Sequence, residues 1–132
     1  METKDERIVI MMVQTANELT HKKCSACEGD MAVVEREEAE SQLKTLPGWR
    51  ISHAGKRIRK DWTVKNFTTG LDFFERVGRL AEADNHHPDL HLEGYRNVSI
   101  ELSTHAIGGL SENDFILAAK INGLSVELQP AK

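Results

Sequence analysis

The chain has 132 residues and a mass of 14.8 kDa, with 39% hydrophobic and 29% charged residues. That length suits one domain with an ordinary soluble composition, and a chain of this size hides about two-thirds of its unfolded surface without needing a disulfide scaffold. A formal net charge of −4 and a pI near 5.9 argue against direct nucleic-acid binding. The longest apolar run, Ile8 to Val13, is far shorter than the ~20 residues of a membrane-spanning helix, and its flank is not that of a signal peptide, so a cytoplasmic protein with no membrane contact is expected.

Residues 1–33 lack sustained periodicity and are expected to form a poorly ordered N-terminal extension ahead of a domain over 34–132. Met11 and Met12 offer an alternative translation start. Cys24 and Cys27 form a single pair followed by loop-like Glu28-Gly29-Asp30, which falls short of the four ligands of a structural zinc and reads as two reduced thiols. A helix opens near Glu35, where Ala39, Leu43 and Leu46 recur at helical spacing, and Pro47-Gly48 ends it. Trp49 to Val64 reads as a hairpin around Ala54-Gly55, with Ile51, Ile58, Trp62 and Val64 alternating with polar residues and Lys60 interrupting the apolar side. The basic run Lys56, Arg57, Arg59 and Lys60 is then the solvated face and tip of that hairpin.

Asn66 is a natural N-cap for the strongest helix, Phe67 to about Asn85, whose stripe runs through Phe67, Leu71, Phe74, Val77, Gly78 and Ala81, widened by Phe73 and Leu80. Pro88 holds His87 in an extended backbone and stops the helix before the doublet. Strands follow near Leu90–Leu92 and Asn97–Thr104, then a Gly108-Gly109 turn. Ser111 caps a last helix, with Asp114 three residues on, as in a capping box. That helix carries Phe115, Ala118, Ala119 and Ile121 and stops at Gly123. The order α-β-β-α-β-β-α, with two hairpins, implies an α+β domain: a four-stranded antiparallel sheet with three helices on one face.

Histidine concentrates where this scheme brings element ends together. His86 and His87 follow a helix, and His105 follows a strand; an imidazole exchanges protons near neutral pH without special tuning. The i,i+4 spacing of Glu82 and His86 places the carboxylate one turn below the ring, where it can orient it. His87 and His91 have the spacing of a helical metal pair, but Pro88 between them removes the helix, and no metal is assigned.

The run Glu82-Ala-Asp-Asn-His86-His87-Pro88, with Tyr95, His105 and Asp114 at fixed distances beyond, resembles the signature of the pterin-4a-carbinolamine dehydratases. The resemblance covers roughly Glu35 to Leu124. It implies an enzyme that dehydrates 4a-hydroxytetrahydropterin to quinonoid dihydropterin without a metal or redox cofactor, recycling the pterin of aromatic amino acid hydroxylases. It implies catalytic residues His86, His87 and His105, with His86 and His105 as the acid/base pair and His87 binding the pterin. Glu82, Asn85, Ser103 and Thr104 join the three histidines in the implied substrate site. Asp114 reads as a helix cap, and Tyr95 as a core or turn aromatic. A homodimer or homotetramer is also implied, as is a hydroxylase as pathway partner. The alternative on the same fold is a non-catalytic dimerisation or assembly partner.

Overall fold

A computed structural model describes residues 13–24 and 32–130. Met11, Met12, Cys27 and the Glu28-Gly29-Asp30 loop lie outside the described residues. The elements are helices α1 (Ala16–Thr20), α2 (Arg36–Leu43), α3 (Phe67–Asp84) and α4 (Glu112–Asn122), with strands β1 (Arg50–Ser52), β2 (Arg57–Thr63), β3 (Asp89–Glu93) and β4 (Asn97–Leu102). The strands form one antiparallel sheet in the order β1-β2-β4-β3. The α+β architecture and the two hairpins expected from the sequence are therefore present.

Strand alternation divides the sheet into two unlike faces. Ile58 and Trp62 of β2, Val98, Ile100 and Leu102 of β4, and Leu92 of β3 share the inner face and join Phe73, Val77 and Ala81 of α3 in the core. Trp62 stands edge-on to both Trp49 and Phe73, with centroids 6.1 and 5.1 Å apart. Lys60 is half-buried on this apolar side: its stem packs under Gly48 and its ammonium lies 5.0 Å from the centre of the Trp62 ring. That ammonium and the Trp49 indole N–H both donate to Asn122 Oδ1, each at 2.9 Å. Burial pushes the Lys60 pKa down.

The outer face is a ladder of charges. Glu101 is 4% exposed yet sits on the uncovered side of the sheet, because Arg57 and Arg59 close over it with contacts of 2.8 and 2.9 Å. Asp61 accepts from Arg59 Nε, Ser99 Oγ and Arg50 Nη1 at 2.8–2.9 Å. Burial acts to raise the Glu101 and Asp61 pKa values, but hydrogen bonds from Arg57 and Arg59 to Glu101, and from Ser99, Arg59 and Arg50 to Asp61, outweigh it and leave both below the ordinary carboxylate value. Of the basic run, Arg57 and Arg59 lie on this outer face, matched by strand-borne acids, whereas Lys60 departs from the expected solvated face and packs on the inner side.

Several features depart from the sequence reading. The hairpin between β1 and β2 turns through a short 3₁₀ segment, His53–Gly55, in which His53, Ala54 and Gly55 all have positive φ. The tail pairs Leu128 with Val64 beyond the last helix, with Gln129 N–H donating to Thr63 O at 2.9 Å. The larger correction concerns the expected disorder of residues 1–33. Within 13–24 lies α1, capped by Thr15 with Glu18 in a capping box, and its Leu19 is fully buried. The physical reason lies in α4. Phe115, Ile116, Leu117, Ala118, Ala119 and Ile121 are all buried, so this helix is apolar nearly all round and needs cover on every side. α1 packs against it.

Two outcomes follow. Asn122→Ala leaves the Trp49 N–H and the Lys60 ammonium without their acceptor, and is expected to cost about 1–3 kcal/mol, read as a lower urea midpoint. The carboxyl group of Glu101 has a folded pKa below its unfolded one, so its stabilisation is present above the unfolded value and is lost as pH falls through the folded value. Melting temperature should therefore drop on acidification below ~pH 4.5. In Glu101→Gln that drop should be shallower; parallel curves for the two proteins would contradict it.

Candidate active site

The site is built around one buried carboxylate. Asp114 is fully buried in the first turn of α4, and each of its oxygens has a separate task. Oδ2 accepts from the Ser111 backbone N–H at 2.9 Å, which is the capping role its spacing predicts, and also from the Thr104 hydroxyl at 2.9 Å. With its proton so committed, Thr104 Oγ1 accepts from the Ser111 hydroxyl at 2.7 Å. Oδ1 takes the ring of His86, with Nε2 2.6 Å away, so the imidazole presents its Nε2–H to the carboxylate. His86, Thr104 and Ser111 are all buried.

Backbone geometry at the end of α3 brings His86 to that carboxylate. Asn85 takes the left-handed conformation (φ 51°, ψ 41°), a role asparagine tolerates, and its N–H bonds back to Ala81 and Glu82. His86 N–H then reaches Ala81 O at 3.1 Å. The chain reverses across this cap, so His86 turns inward and His87 outward. The pairing expected from i,i+4 spacing is therefore displaced by one residue: Glu82 Oε1 meets His87 Nε2 at 2.9 Å, not His86. Both members of the Glu82–His87 pair are exposed.

The other histidine arrives along β4. Asp89 faces Glu101 at the end of the β3–β4 ladder, so the chain entering β3 and the chain leaving β4 run out of the sheet side by side. Thr104 lies on the second of these and hangs from Asp114. Thr104 and Gly109 form an isolated bridge that closes a short loop, the 3₁₀ segment His105–Ile107, with His105 exposed on it.

Two concavities flank the buried dyad. A groove of about 500 Å³ runs along the outside of α3, lined by Glu82 and His87 with Gly78, Arg79, Pro88 and Leu90 among others. A smaller one of about 200 Å³ holds His105 with Ser103, Thr104, Lys56 and Arg57. Of the sequence-predicted site residues, Glu82 and His87 line the first, while Ser103, Thr104 and His105 line the second. Asn85 shapes the backbone at the helix end, and His86 lies buried between. Tyr95 is an exposed turn aromatic with φ 57°. Among the described residues no three His, Cys, Asp or Glu side chains converge as a metal-binding group.

Asp114 as the partner of His86 is what sequence reasoning missed. Its spacing to Ser111 identifies the cap, but the contact to His86 spans 28 residues and carries no local signal.

Comparison with known proteins places the chain in a family. Residues 32–124 match the family model described as pterin 4 alpha carbinolamine dehydratase. A relative from Arabidopsis thaliana, named pterin-4-alpha-carbinolamine dehydratase 2, mitochondrial, is 50% identical over 113 residues; the alignment covers 83% of this chain and 60% of the plant protein's length. A Methylococcus capsulatus protein provisionally named as the same dehydratase is 41% identical, with coverage of 83% and 95%. A solved structure from Brucella Melitensis, described as a transcriptional coactivator/pterin dehydratase, superposes with a TM-score of 0.65 at 28% identity, covering 70% of this chain and 97% of that one. The chain belongs to the pterin 4 alpha carbinolamine dehydratase family.

Proposed function

We propose that this protein dehydrates 4a-hydroxytetrahydropterin to the quinonoid dihydropterin by histidine acid/base catalysis, with no metal or redox cofactor taking part. The supporting observation is the suspension of two solvent-facing imidazoles from one buried carboxylate: His87 adjoins His86, and His105 adjoins Thr104, and both anchors bond Asp114. The 4a-hydroxyl leaves readily only when protonated, and removal of the N5 proton frees the lone pair that expels it. One general acid and one general base therefore suffice, worth typically ~10²–10⁴-fold together or singly.

Exposure divides the work. His105 and the Glu82–His87 pair reach solvent and are the proton-transfer groups, with Glu82 orienting His87. His86 is 4% exposed and engaged on Asp114, so it positions the other two instead of forming the acid/base pair with His105. Ser103 and Thr104 beside His105, and Asn85 beside His86, complete the pterin-contacting set.

The proposed physiological setting is pterin recycling for an aromatic amino acid hydroxylase, in the cytoplasm. No helix among the described residues is long and apolar enough to cross a membrane. Import of the full-length chain into an organelle would move the proposed location. A homodimer or homotetramer is part of the same reading, since Phe67, Leu71 and Leu90 are exposed apolar residues on α3 and on edge strand β3.

Formation of quinonoid dihydropterin, followed by ultraviolet absorbance, tests the activity directly; a purified protein that does not accelerate it would end the enzyme reading. His105→Ala should cut kcat by at least about tenfold with the melting temperature little changed, because the side chain makes no buried contact. His86→Asn, which keeps a donor for Asp114, should retain most of its turnover if His86 only positions; a loss of ~100-fold in a folded protein would return it to proton transfer. Asp114→Asn should destabilise by about 2–4 kcal/mol in denaturant titration, since it removes a buried charge that three donors were placed to meet.

A further inference from the structure

We propose that residues 13–24 are a positioning element for the histidine site, acting through a buried cluster of Cys24, Asp84 and Lys120 that lies outside the site itself. The catalytic part of this inference rests on the dehydratase reading; the structural part does not. The segment precedes residues 32–124, the span matched by the family model.

The segment is fastened at several points. Leu19 is fully buried against the core. Gln14 exchanges two hydrogen bonds with Gln42: its N–H donates to Oε1 at 2.8 Å, and its carbonyl accepts from Nε2 at 2.7 Å. Gln14 Nε2 and Lys22 Nζ both donate to Glu112 Oε2, at 2.9 and 3.3 Å, at the first residue of α4. Cys24 closes the segment between the two elements that carry the dyad. Its thiol lies 3.6 Å from Asp84 Oδ2, on the last residue of α3, and 3.5 Å from the carbonyl of Asn113, next to Asp114. Burial, with Asp84 alongside, pushes this thiol up to about 12, so it is an S–H donor and not a nucleophile.

Asp84 also accepts from Lys120 Nζ at 2.6 Å, with the carboxylate 5% and the ammonium 17% exposed. The end of α3 is thus pinned to α4 at two points, His86 on Asp114 and Asp84 on Lys120, on either side of the left-handed Asn85. One pin alone leaves a pivot about the His86–Asp114 contact; two set the angle at which the Asn85-His86-His87 turn leaves the helix. Cys24 covers the second pin and ties it to the backbone beside Asp114. Small displacements of reacting groups are costly to turnover, so this second pin bears on catalysis without touching substrate.

The test uses the full-length chain, wild type and variants, with two readouts at a temperature well below melting: steady-state turnover, and the ring ¹⁵N–¹H signals of His86 by NMR. Lys120→Met should lower kcat by about tenfold with KM changed by less than about threefold, and shift the His86 signals, while Lys120→Arg restores both. Cys24→Val keeps the Asp84–Lys120 pair and should move the same signals in the same sense, with kcat about threefold lower and Cys24→Ser close to wild type. If Lys120→Met does not fold, the valine and serine variants carry the comparison. Variants that melt earlier but leave the His86 signals and kcat unmoved would overturn the positioning role. A wild-type protein without dehydratase turnover would sink the functional reading alone, and the His86 signals would then decide the structural claim.

Discussion

The Asp114 carboxylate is the constraint on which the site depends. It terminates a helix, receives a threonine from the end of β4 and holds a histidine from the end of α3, all without solvent. A carboxyl group so deeply buried is tolerated only when its lone pairs are met by donors, and removing any one donor leaves an acceptor unsatisfied. Position is therefore specified jointly. The ends of α3 and β4 and the start of α4 are brought to one point by a group that cannot be satisfied by fewer than all three.

The sheet explains how those ends come to be neighbours. Pairing β4 with both β2 and β3 places β4 in the middle, and its exit beside the entry to β3 follows from the antiparallel register. Packing of Val98, Ile100 and Leu102 against α3 then fixes the sheet relative to that helix. A one-residue slip would send these three to the charged face and Ser99 and Glu101 into the core, so register is held by both faces at once. The arginine–carboxylate ladder adds to that specification: the exposed Arg50–Asp61 pair contributes little by itself, whereas Glu101, closed over by Arg57 and Arg59, must stay on their side of the sheet.

Much of this is written locally and is readable as such. The helical spacing of its apolar residues marks α3, although the face it buries runs through Phe73, Val77 and Ala81 and leaves Phe67 and Leu71 exposed; Asn66 marks its start, and the alternation in Val98 to Leu102 marks β4 and its inward face. Pro88 correctly separates the histidine doublet from the helix. What periodicity misses are decisions made at single backbone angles or across long distances. Left-handed Asn85 exchanges the partners of Glu82, because i,i+4 geometry applies only while the helix lasts. The His86–Asp114 contact joins residues that no pattern links. α1 is five residues long, too short to show a period, yet its presence is implied by its partner: the unbroken apolar run from Phe115 to Ala119 demands burial on every side. That signal lies in α4, about a hundred residues from the element it requires.

On the proposed reading, this arrangement separates the side chains that hold the fold from those assigned to exchange protons. His86, Thr104 and Asp114 are buried and mutually committed, so any change in the protonation of one disturbs the bonds of the rest. His87 and His105, one residue further along each chain, are exposed and stand outside that buried network. The proposed dehydration, which needs a proton delivered at one atom and removed at another, requires groups that reach the substrate yet do not wander. Placing each beside an anchor on the same carboxylate meets both demands, since the backbone is fixed where the imidazole is exposed.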